Sequence, residues 1–339
     1  MAKPRLDATR EQILAYRRTV SALDRRLPGG PDSLRWAAWA GLQDSMPRAA
    51  LLSIHARVAG AGPAAWEDRS LIQVWGPRYS AYVVAEPDRA LFTLGRYPVD
   101  AAGQRRADDM ADRLEAFLAG RAMSYADAGH GIGVHPNMLR YAGPTGRFLI
   151  RWEGARRPTI WSVPKPDVDP ADATIELARR YLHVFGPTTP KAFAEWAGIK
   201  PPRGQAAFDA LAAGLAAVRT PIGEAWILAE DEPTLLAPAG PTAPARLLPS
   251  GDTFFLLWRV DRELLVPDTA RRLELWTTRV WPGAVLVDGQ IAGVWRRAGA
   301  KVVVQAWRRL PPPAVEAVEI EAASLPLPDV TGQIRVLWE

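Results

Sequence analysis

The stretch WAGLQDSMP, residues 39–47, holds the residues of this chain that are best placed to do chemistry. It puts one amide, Gln43, beside one carboxylate, Asp44, at the end of an apolar run and just before a proline. An amide oxygen can orient a water molecule, and a carboxylate can accept a proton or stabilise a developing positive charge. The pair therefore indicates either a hydrolytic site or the polar end of a core helix.

Arginines interleaved with aromatic residues form three clusters that suit contacts to DNA phosphates. The first cluster lies where the second helix of a helix-turn-helix motif would begin, the second lies in a following hairpin, and the third lies in a C-terminal run without acids. Their members are Asn137, Arg140 and Tyr141; Arg147, Arg151, Arg156 and Arg157; and Arg296, Arg297, Lys301, Arg308 and Arg309, of which Arg296 and Arg297 are the predicted DNA contacts. A solvated basic face is the alternative for any one cluster, and three clusters together favour DNA.

Other reaction classes lack the residues that they need. GHGIG, residues 129–133, follows a helical pattern and lacks the Lys-Ser/Thr end of a phosphate loop. His130 and His135 stand five residues apart across a glycine corner, which is not the spacing of metal ligands on one helix face. The chain has no cysteine and no G-x-S-x-G elbow. We therefore predict no metal and no cofactor.

The composition is that of a globular protein with a basic surface. The chain has 339 residues, of which 48% are hydrophobic and 23% charged, and a net charge of +5 that comes almost entirely from arginine. Arginine suits phosphates and base edges, but coding bias in a chain rich in Ala, Gly, Pro and Arg explains the count equally well. The charged start lacks a signal-peptide core and no apolar run could span a membrane, so we expect a cytoplasmic protein.

The elements that must position these residues recur in three rounds. In each round, short helical patterns precede a strand pair, which is typical of a winged helix; helices over 31–45 and 47–60 precede the hairpin 70–84. After a Pro/Ala/Gly linker at 237–245, strands dominate, with a hairpin signal at Asp288-Gly289. The predicted fold class is α+β, with tandem winged helix-turn-helix modules and a C-terminal β-rich, barrel-like module. The predicted modules are 1–100, 101–168, 169–236 and 246–339.

Together these segments resemble the AlkZ-like (AlkZ/YcaQ) family of winged-helix DNA glycosylases over nearly the whole chain. LQD followed by PRAALLSIHARV and VWGPRYSAYVV is similar to the family's first winged helix and its wing, and YLHVFGPTTPKAFAEWAGI to its most recognisable segment. RLLPSGDTFFLLWRVDREL and PGAVLVDGQIAGVWRR look like its C-terminal β region. The resemblance implies winged helices around a concave DNA-binding face. It also implies monofunctional excision of bulky or cationic N-alkylated purines, including crosslinked ones.

The family's catalytic signature is a glutamine, an apolar residue, then a glutamine or aspartate, and it falls here on Gly41-Leu42-Gln43. The resemblance therefore implies a catalytic Gln43, but glycine replaces the first glutamine and Asp44 is the neighbouring group that could assist. In the family's wing an arginine and a small hydroxyl follow the turn, and Arg78 and Ser80 match them. Tyr82 stands where a histidine is common in the family.

Two functions from different classes follow from these residues. The first is a DNA glycosylase in which Gln43 and Asp44 act on the N-glycosidic bond, while Arg78, Ser80 and the clusters above hold double-stranded DNA, alkylated or crosslinked. The second is a non-catalytic duplex or lesion binder, because Gly41 removes half of the motif. A weaker hypothesis is that the basic faces contact an acidic protein or are only solvated. We expect a monomer without a membrane partner, associated with the nucleoid of a bacterium.

Overall fold

The computed structural model describes residues 6–46, 48–152, 158–328, 330 and 332–339. In these residues, short helices alternate with strands that form three sheets. The prediction of a mixed α+β fold is therefore confirmed. No helix in this part of the chain is long and apolar enough to cross a bilayer.

The N-terminal part contains the segment that carries Gln43. Its elements are β1 (Leu6–Asp7), α1 (Arg10–Val20), α2 (Pro31–Ala37), β2 (Leu42–Gln43), α3 (Ala49–Arg57), β3 (Leu71–Trp75), β4 (Ala81–Ala85) and α4 (Arg89–Thr93). The hairpin predicted at 70–84 is confirmed by the antiparallel pairing of β3 with β4. The helix predicted over 31–45 is wrong beyond Ala37. Gly41 takes a φ of +70°, which no helix allows, and β2 then pairs with β4.

The next part continues the same sheet. Its elements are α5 (Ala101–Leu118), β5 (Met123–Ser124), α6 (Tyr125–Gly131), β6 (Phe148–Arg151) and β7 (Thr159–Ser162). The six strands lie in the order β2-β4-β3-β6-β7-β5, so the sheet joins strands from both sides of residue 100. Residues Pro136–Thr145, where the sequence predicts the second helix of a helix-turn-helix motif, form a 3₁₀-helix.

The third part is a helical layer with a hairpin. Its elements are α7 (Pro170–Phe185), α8 (Pro190–Ala197), α9 (Pro201–Leu211), β8 (Leu215–Thr220), β9 (Gly223–Leu228) and α10 (Glu232–Leu236). The N-terminal strand β1 pairs in parallel with β8, so that the start of the chain completes this three-stranded sheet.

The C-terminal part is rich in strands, as its sequence predicts. Its elements are β10 (Ala245–Leu248), α11 (Asp261–Leu265), α12 (Thr269–Leu275), β11 (Gly283–Val287), β12 (Gln290–Ala298), β13 (Lys301–Ala306), α13 (Pro312–Ala323) and β14 (Arg335–Trp338). The strands form one sheet in the order β10-β11-β12-β13-β14. The hairpin predicted at Asp288-Gly289 is confirmed by the pairing of Val287 with Gln290.

One hydrophobic core connects these parts around Gln43. It contains Val74 and Tyr82 from the first sheet, Trp196 from α8, and Leu248 and Phe255 from the C-terminal part, all fully or nearly fully buried. Because packed interiors deform little, this core fixes the elements that surround Gln43 relative to one another.

Candidate active site

The chain reverses direction between α2 and β2, and Gly41 lies at the reversal. Its N–H donates to the carbonyl of Ala38 at 2.7 Å, and its φ is +70°. A Cβ at this position would lie 2.8 Å from Cε1 of Phe92 and 2.9 Å from Cδ1 of Tyr82. Position 41 therefore faces the packed core and has no room for a side chain in this conformation.

Gln43 is half-buried and lines a cleft of about 410 Å³. Its backbone pairs with Tyr82 of β4, and its Nε2 donates a hydrogen bond to Oγ of Ser45 at 3.4 Å. A Cβ on Gly251 would lie only 2.6 Å from Oε1 of Gln43. The backbone of the loop that contains Gly251 therefore lies directly against the side-chain amide. Among the described residues, no donor bonds to Oε1, and this oxygen is free to accept a hydrogen bond from a water or a substrate.

Asp44 faces the other way. It is 6% exposed, its carboxylate accepts from the N–H of Ala50 at 3.0 Å and from Nε2 of Gln73 at 2.7 Å, and it is not among the residues that line the cleft. Burial raises the pKa of Asp44 to about 7, although the Ala50 and Gln73 hydrogen bonds oppose the shift. The carboxyl thus joins the start of α3 to β3, and a part in the reaction stays a prediction.

The loop that contacts Gln43 is held by a buried ion pair. Asp252 is 1% exposed and Arg57 of α3 is 2% exposed, and the guanidinium donates to both carboxylate oxygens at 2.7 Å. The hydroxyl of Ser53 donates to the same carboxylate at 2.7 Å. These bonds fix the position of Gly251 beside the amide. The sequence carries no signal for these bonds beyond the turn pattern PSGD at 249–252.

Arg78 and Ser80, both predicted DNA contacts, line the same cleft as Gln43. Arg78 is exposed, lies in a left-handed turn at φ +54°, and donates from Nη1 to the carbonyl of Glu195 at 3.2 Å. Its guanidinium stands 5.2 Å from the ring centroid of Trp258, within the range of a cation–π contact. The structure therefore brings together Gln43 and the two wing residues that the sequence singled out.

Three further residues of the cleft are not singled out by the sequence. Arg279 is exposed, Trp258 and Trp281 are half-buried, and all three line the cleft. No ion pair within the described residues involves Arg279. The signal was present in the sequence, because RVW at 279–281 and WRV at 258–260 repeat the alternation of arginine and aromatic residue found in the clusters above. Such pairs suit a phosphate and a stacked base.

Arg296 and Arg297 lie beside this cleft. They line an adjacent groove of about 420 Å³, which shares Met46, Ser250, Val280 and Trp281 with the Gln43 cleft. Arg296 is exposed and donates to the carbonyl of Val280 at 3.3 and 3.4 Å. The C-terminal arginines therefore extend the cationic surface next to Gln43.

The cluster in the 3₁₀-helix contacts the turn that carries Arg78. The ring of Tyr141 meets the ring of Tyr79 edge-on at 5.1 Å, and the guanidinium of Arg140 lies 5.6 Å from the Tyr141 ring. Nε of Arg140 is buried and has no hydrogen-bond partner in the described chain. Asn137 is exposed, and its backbone N–H donates to Nδ1 of His135.

The arginines of the predicted second wing are engaged within the protein. Arg147 forms ion pairs with Asp112, at 2.6 Å, and with Glu115 of α5. Arg151 pairs with Glu67 at 3.3 Å, and its guanidinium lies 3.8 Å from the ring centroid of Trp66. Both would have to share these partners with a phosphate. The two remaining members, Arg156 and Arg157, lie outside the described residues.

The chain is similar to two known proteins from one organism. A curated relative from Streptomyces sahachiroi, an interstrand DNA cross-link repair glycosylase, is 28% identical over 195 residues, which is 55% of this chain but only 48% of that protein. The match thus spans about half the length of the relative. The solved structure of the DNA glycosylase AlkZ from the same organism has a TM-score of 0.77, with 19% identity, over 98% of this chain and 100% of that one. This likeness shows a shared fold.

A family model places the chain more specifically. The model described as DNA glycosylase AlkZ-like matches residues 36–326, a range that begins before Gly41 and includes every described residue of the Gln43 cleft. The match covers far more than half of the sequence. The chain therefore belongs to the AlkZ-like DNA glycosylase family.

Proposed function

We propose that this protein is a monofunctional DNA glycosylase that acts on double-stranded DNA carrying cationic N-alkylated purines, crosslinked ones included. The observation that carries the proposal is the amide of Gln43, whose Oε1 accepts no hydrogen bond from the described residues and which lines a cleft with two arginines and two tryptophans. Membership of the family and the shared fold support it. The protein would act as a monomer in the cytoplasm, associated with the nucleoid.

The proposed reaction is hydrolysis of the N-glycosidic bond. The base leaves with the bonding electrons, water adds its oxygen to C1′ of the sugar, and one water proton is released, which gives an abasic site and a free base. An N7-alkylated purine is cationic before the bond breaks, so it leaves as a neutral molecule and needs little acid catalysis. Oε1 of Gln43 can accept a hydrogen bond from the water and can stabilise the positive charge that develops on the sugar.

Arginines and tryptophans of the cleft would hold the substrate. Arg78 and Arg279 can form bidentate contacts with the phosphates on either side of the lesion. Trp258 and Trp281 offer faces on which a displaced base can stack. Extrusion of a base costs unstacking energy, which is smaller for damaged bases, and such contacts would offset that cost.

Tandem winged-helix modules are part of the proposal. The order α5, α6, a 3₁₀-helix and the β6–β7 hairpin is the order expected for helices followed by a wing. We propose that the chain is divided into modules at 1–100, 101–168, 169–236 and 246–339. We propose further contacts with the duplex outside the cleft, by Asn137, Arg140, Tyr141, Arg147, Arg151, Arg296 and Arg297.

The role of Asp44 separates two versions of the mechanism. In the first version its carboxylate assists Gln43, and in the second it only fixes the start of α3 through Ala50 and Gln73. Asp44→Asn keeps an acceptor for the Ala50 N–H but removes the charge. A loss of excision without a loss of stability would support the first version, and unchanged excision would support the second.

A second candidate function is a lesion-binding protein without catalysis. It is favoured by Gly41, which leaves one glutamine where the family's signature has two polar residues. Both candidates share the cationic cleft and predict binding to a duplex. They differ only in whether the base is released.

Single-turnover release of an N7-alkylated guanine from a duplex decides between them. We expect wild type to release the base, and Gln43→Ala to slow release by about 10²–10³ while duplex binding persists, by analogy with loss of one oxyanion-hole donor. Gln205→Ala, an exposed glutamine on α9, is the matched control and should behave as wild type. Binding without release by wild type would favour the second candidate, and no binding at low salt would refute both.

A further inference from the structure

A second cationic cleft lies on the other side of the turn that carries Arg78. It has a volume of about 340 Å³, and its charged lining residues are Arg96, Asp100, Arg106, Lys200 and Arg203. The one acid, Asp100, is already paired with the ammonium of Lys200 at 3.1 Å and with the N–H of Gly103 at 2.9 Å. The lining therefore has an excess of three positive charges.

Arg96 is the deepest of these cations, with an exposure of 4%. Its Nε donates to the carbonyl of Ala197 at 2.7 Å, its Nη1 donates to that of Trp75 at 3.3 Å, and its guanidinium lies 4.9 Å from the Tyr79 ring centroid. Burial lowers the pKa of Arg96 to about 10, and the nearby charge of Arg203 adds to the effect. The side chain is still cationic at neutral pH.

Arg203 stands beside Arg96 and is half-buried. It donates to the carbonyls of Tyr97 and Pro170 and to the hydroxyl of Thr174, and burial lowers its pKa to about 10. In the part of the chain that the structure describes, no carboxylate pairs with Arg96 or with Arg203. A buried cation beside a half-buried one, with no carboxylate partner among the described residues, is unfavourable, and a bound anion would relieve both the desolvation and the repulsion.

We propose that this cleft binds a backbone phosphodiester of the DNA strand next to the Gln43 cleft. The inference rests on the proposed DNA-binding function. A guanidinium group can donate two parallel hydrogen bonds to phosphate oxygens, and three of the four cations here are arginines. A free phosphate compound has the same chemistry, but the position of the cleft favours DNA.

One turn of the chain separates the second cleft from the Gln43 cleft. Arg78 lines the Gln43 cleft, and the next residue, Tyr79, lines the second cleft. A strand that leaves the first cleft therefore reaches the second by crossing this turn. Gly198, which also lines the second cleft, lies against this turn, since a Cβ there would stand 3.1 Å from Cα of Arg78.

The test uses the two exposed cations, because Arg96 and Arg203 also hold backbone carbonyls and their loss could unfold the protein. Affinity for a labelled duplex is measured at several salt concentrations for wild type and for the double variant Arg106→Gln, Lys200→Gln. The slope of log K against log[salt] is negative, and removal of one phosphate-binding cation reduces its magnitude by about 0.9. The magnitude should therefore decrease by about 2 in the double variant. Arg105→Gln is the control, because it is exposed on α5 one residue away and does not line the cleft.

The outcomes separate this inference from the proposed function. A slope of smaller magnitude in the double variant and an unchanged slope in Arg105→Gln would support it, with base release at saturating duplex equal to wild type. A wild-type slope in the double variant, while wild type still binds and excises, overturns the phosphodiester site alone. Calorimetric binding of inorganic phosphate that is abolished in the double variant, with no change in the duplex slope, overturns DNA as the source. Absence of duplex binding by wild type overturns both proposals.

Discussion

Replacement of Gly41 by alanine is expected to destabilise the protein by two separable effects. The first is the left-handed backbone at φ +70°, which costs an L-residue about 1–2 kcal/mol. The second is overpacking, because the new Cβ would stand 2.8 Å from Phe92 and 2.9 Å from Tyr82, and such contacts commonly cost about 1–3 kcal/mol. We expect Gly41→Ala to lower the free energy of unfolding by about 2–5 kcal/mol.

Gly60 offers a matched control for the backbone term. Its φ is +68°, and a Cβ there would have no atom within 4 Å. Gly60→Ala should therefore cost only about 1–2 kcal/mol, and the difference between the two variants measures the packing at position 41. Urea unfolding followed by tryptophan fluorescence gives both free energies, provided that the m-values agree with wild type.

The same geometry predicts that the family's two-residue motif cannot be rebuilt here by a single change. In Gly41→Gln the side chain would start against Phe92 and Tyr82, where the packing leaves no space for it, so base release should not increase. Equal stabilities for Gly41→Ala and Gly60→Ala would refute the packing argument. Faster base release by Gly41→Gln would refute the placement of position 41 in the core.

Three further predictions concern the surroundings of Gln43. Gly251→Ala should slow base release, because its Cβ would displace the amide from a position only 2.6 Å away, while the affinity for the duplex, measured by fluorescence anisotropy, stays the same; unchanged release would contradict the contact. Asp252→Ala should lower the urea-measured stability by about 3–5 kcal/mol, because it leaves Arg57 buried without its partner; a loss below about 1 kcal/mol would contradict this. The pKa of Asp44 is raised to about 7 in the folded state, so the protein binds a proton there that the unfolded chain releases near pH 4. The unfolding free energy should therefore fall as pH rises from about 4 to about 7, and Asp44→Asn should remove this part of the pH dependence; an equal slope in both proteins would refute the assignment.

The local elements were largely predictable from the sequence. Gly76-Pro77 and Asp288-Gly289 mark two hairpins because turn residues act over a few positions only. The alanine-rich run before Gln43 suggested one long helix, and the structure ends that helix at Ala37. Nothing local distinguishes a glycine that continues a helix from one that takes a positive φ. The difference is set by β4, which pairs with β2 and is far away in the sequence.

The candidate site was only partly predictable, for a similar reason. The sequence identified Gln43, Arg78 and Ser80, but not Gly251 or Arg279, which come from loops about 200 residues later. Contacts over such separations leave no periodic pattern. Arginine clusters are equally ambiguous, because the acids that pair with them are distant in the sequence and become neighbours only in the fold.

The orientation of Gln43 and Asp44 follows from the strand. Successive residues of an extended chain point to opposite faces, so Gln43 lines the cleft while Asp44 is buried against Ala50 and Gln73. The described lining of the cleft accordingly contains no carboxylate and no histidine. If Gln43 acts as proposed, with no acid in the described lining to protonate a leaving base, we expect a preference for lesions that are already cationic. These leave as neutral molecules and need only an acceptor oxygen for the water and the sugar. Neutral lesions should therefore be poor substrates even where they bind, and a comparison of N7-methylguanine with a neutral adduct of similar size tests this point directly.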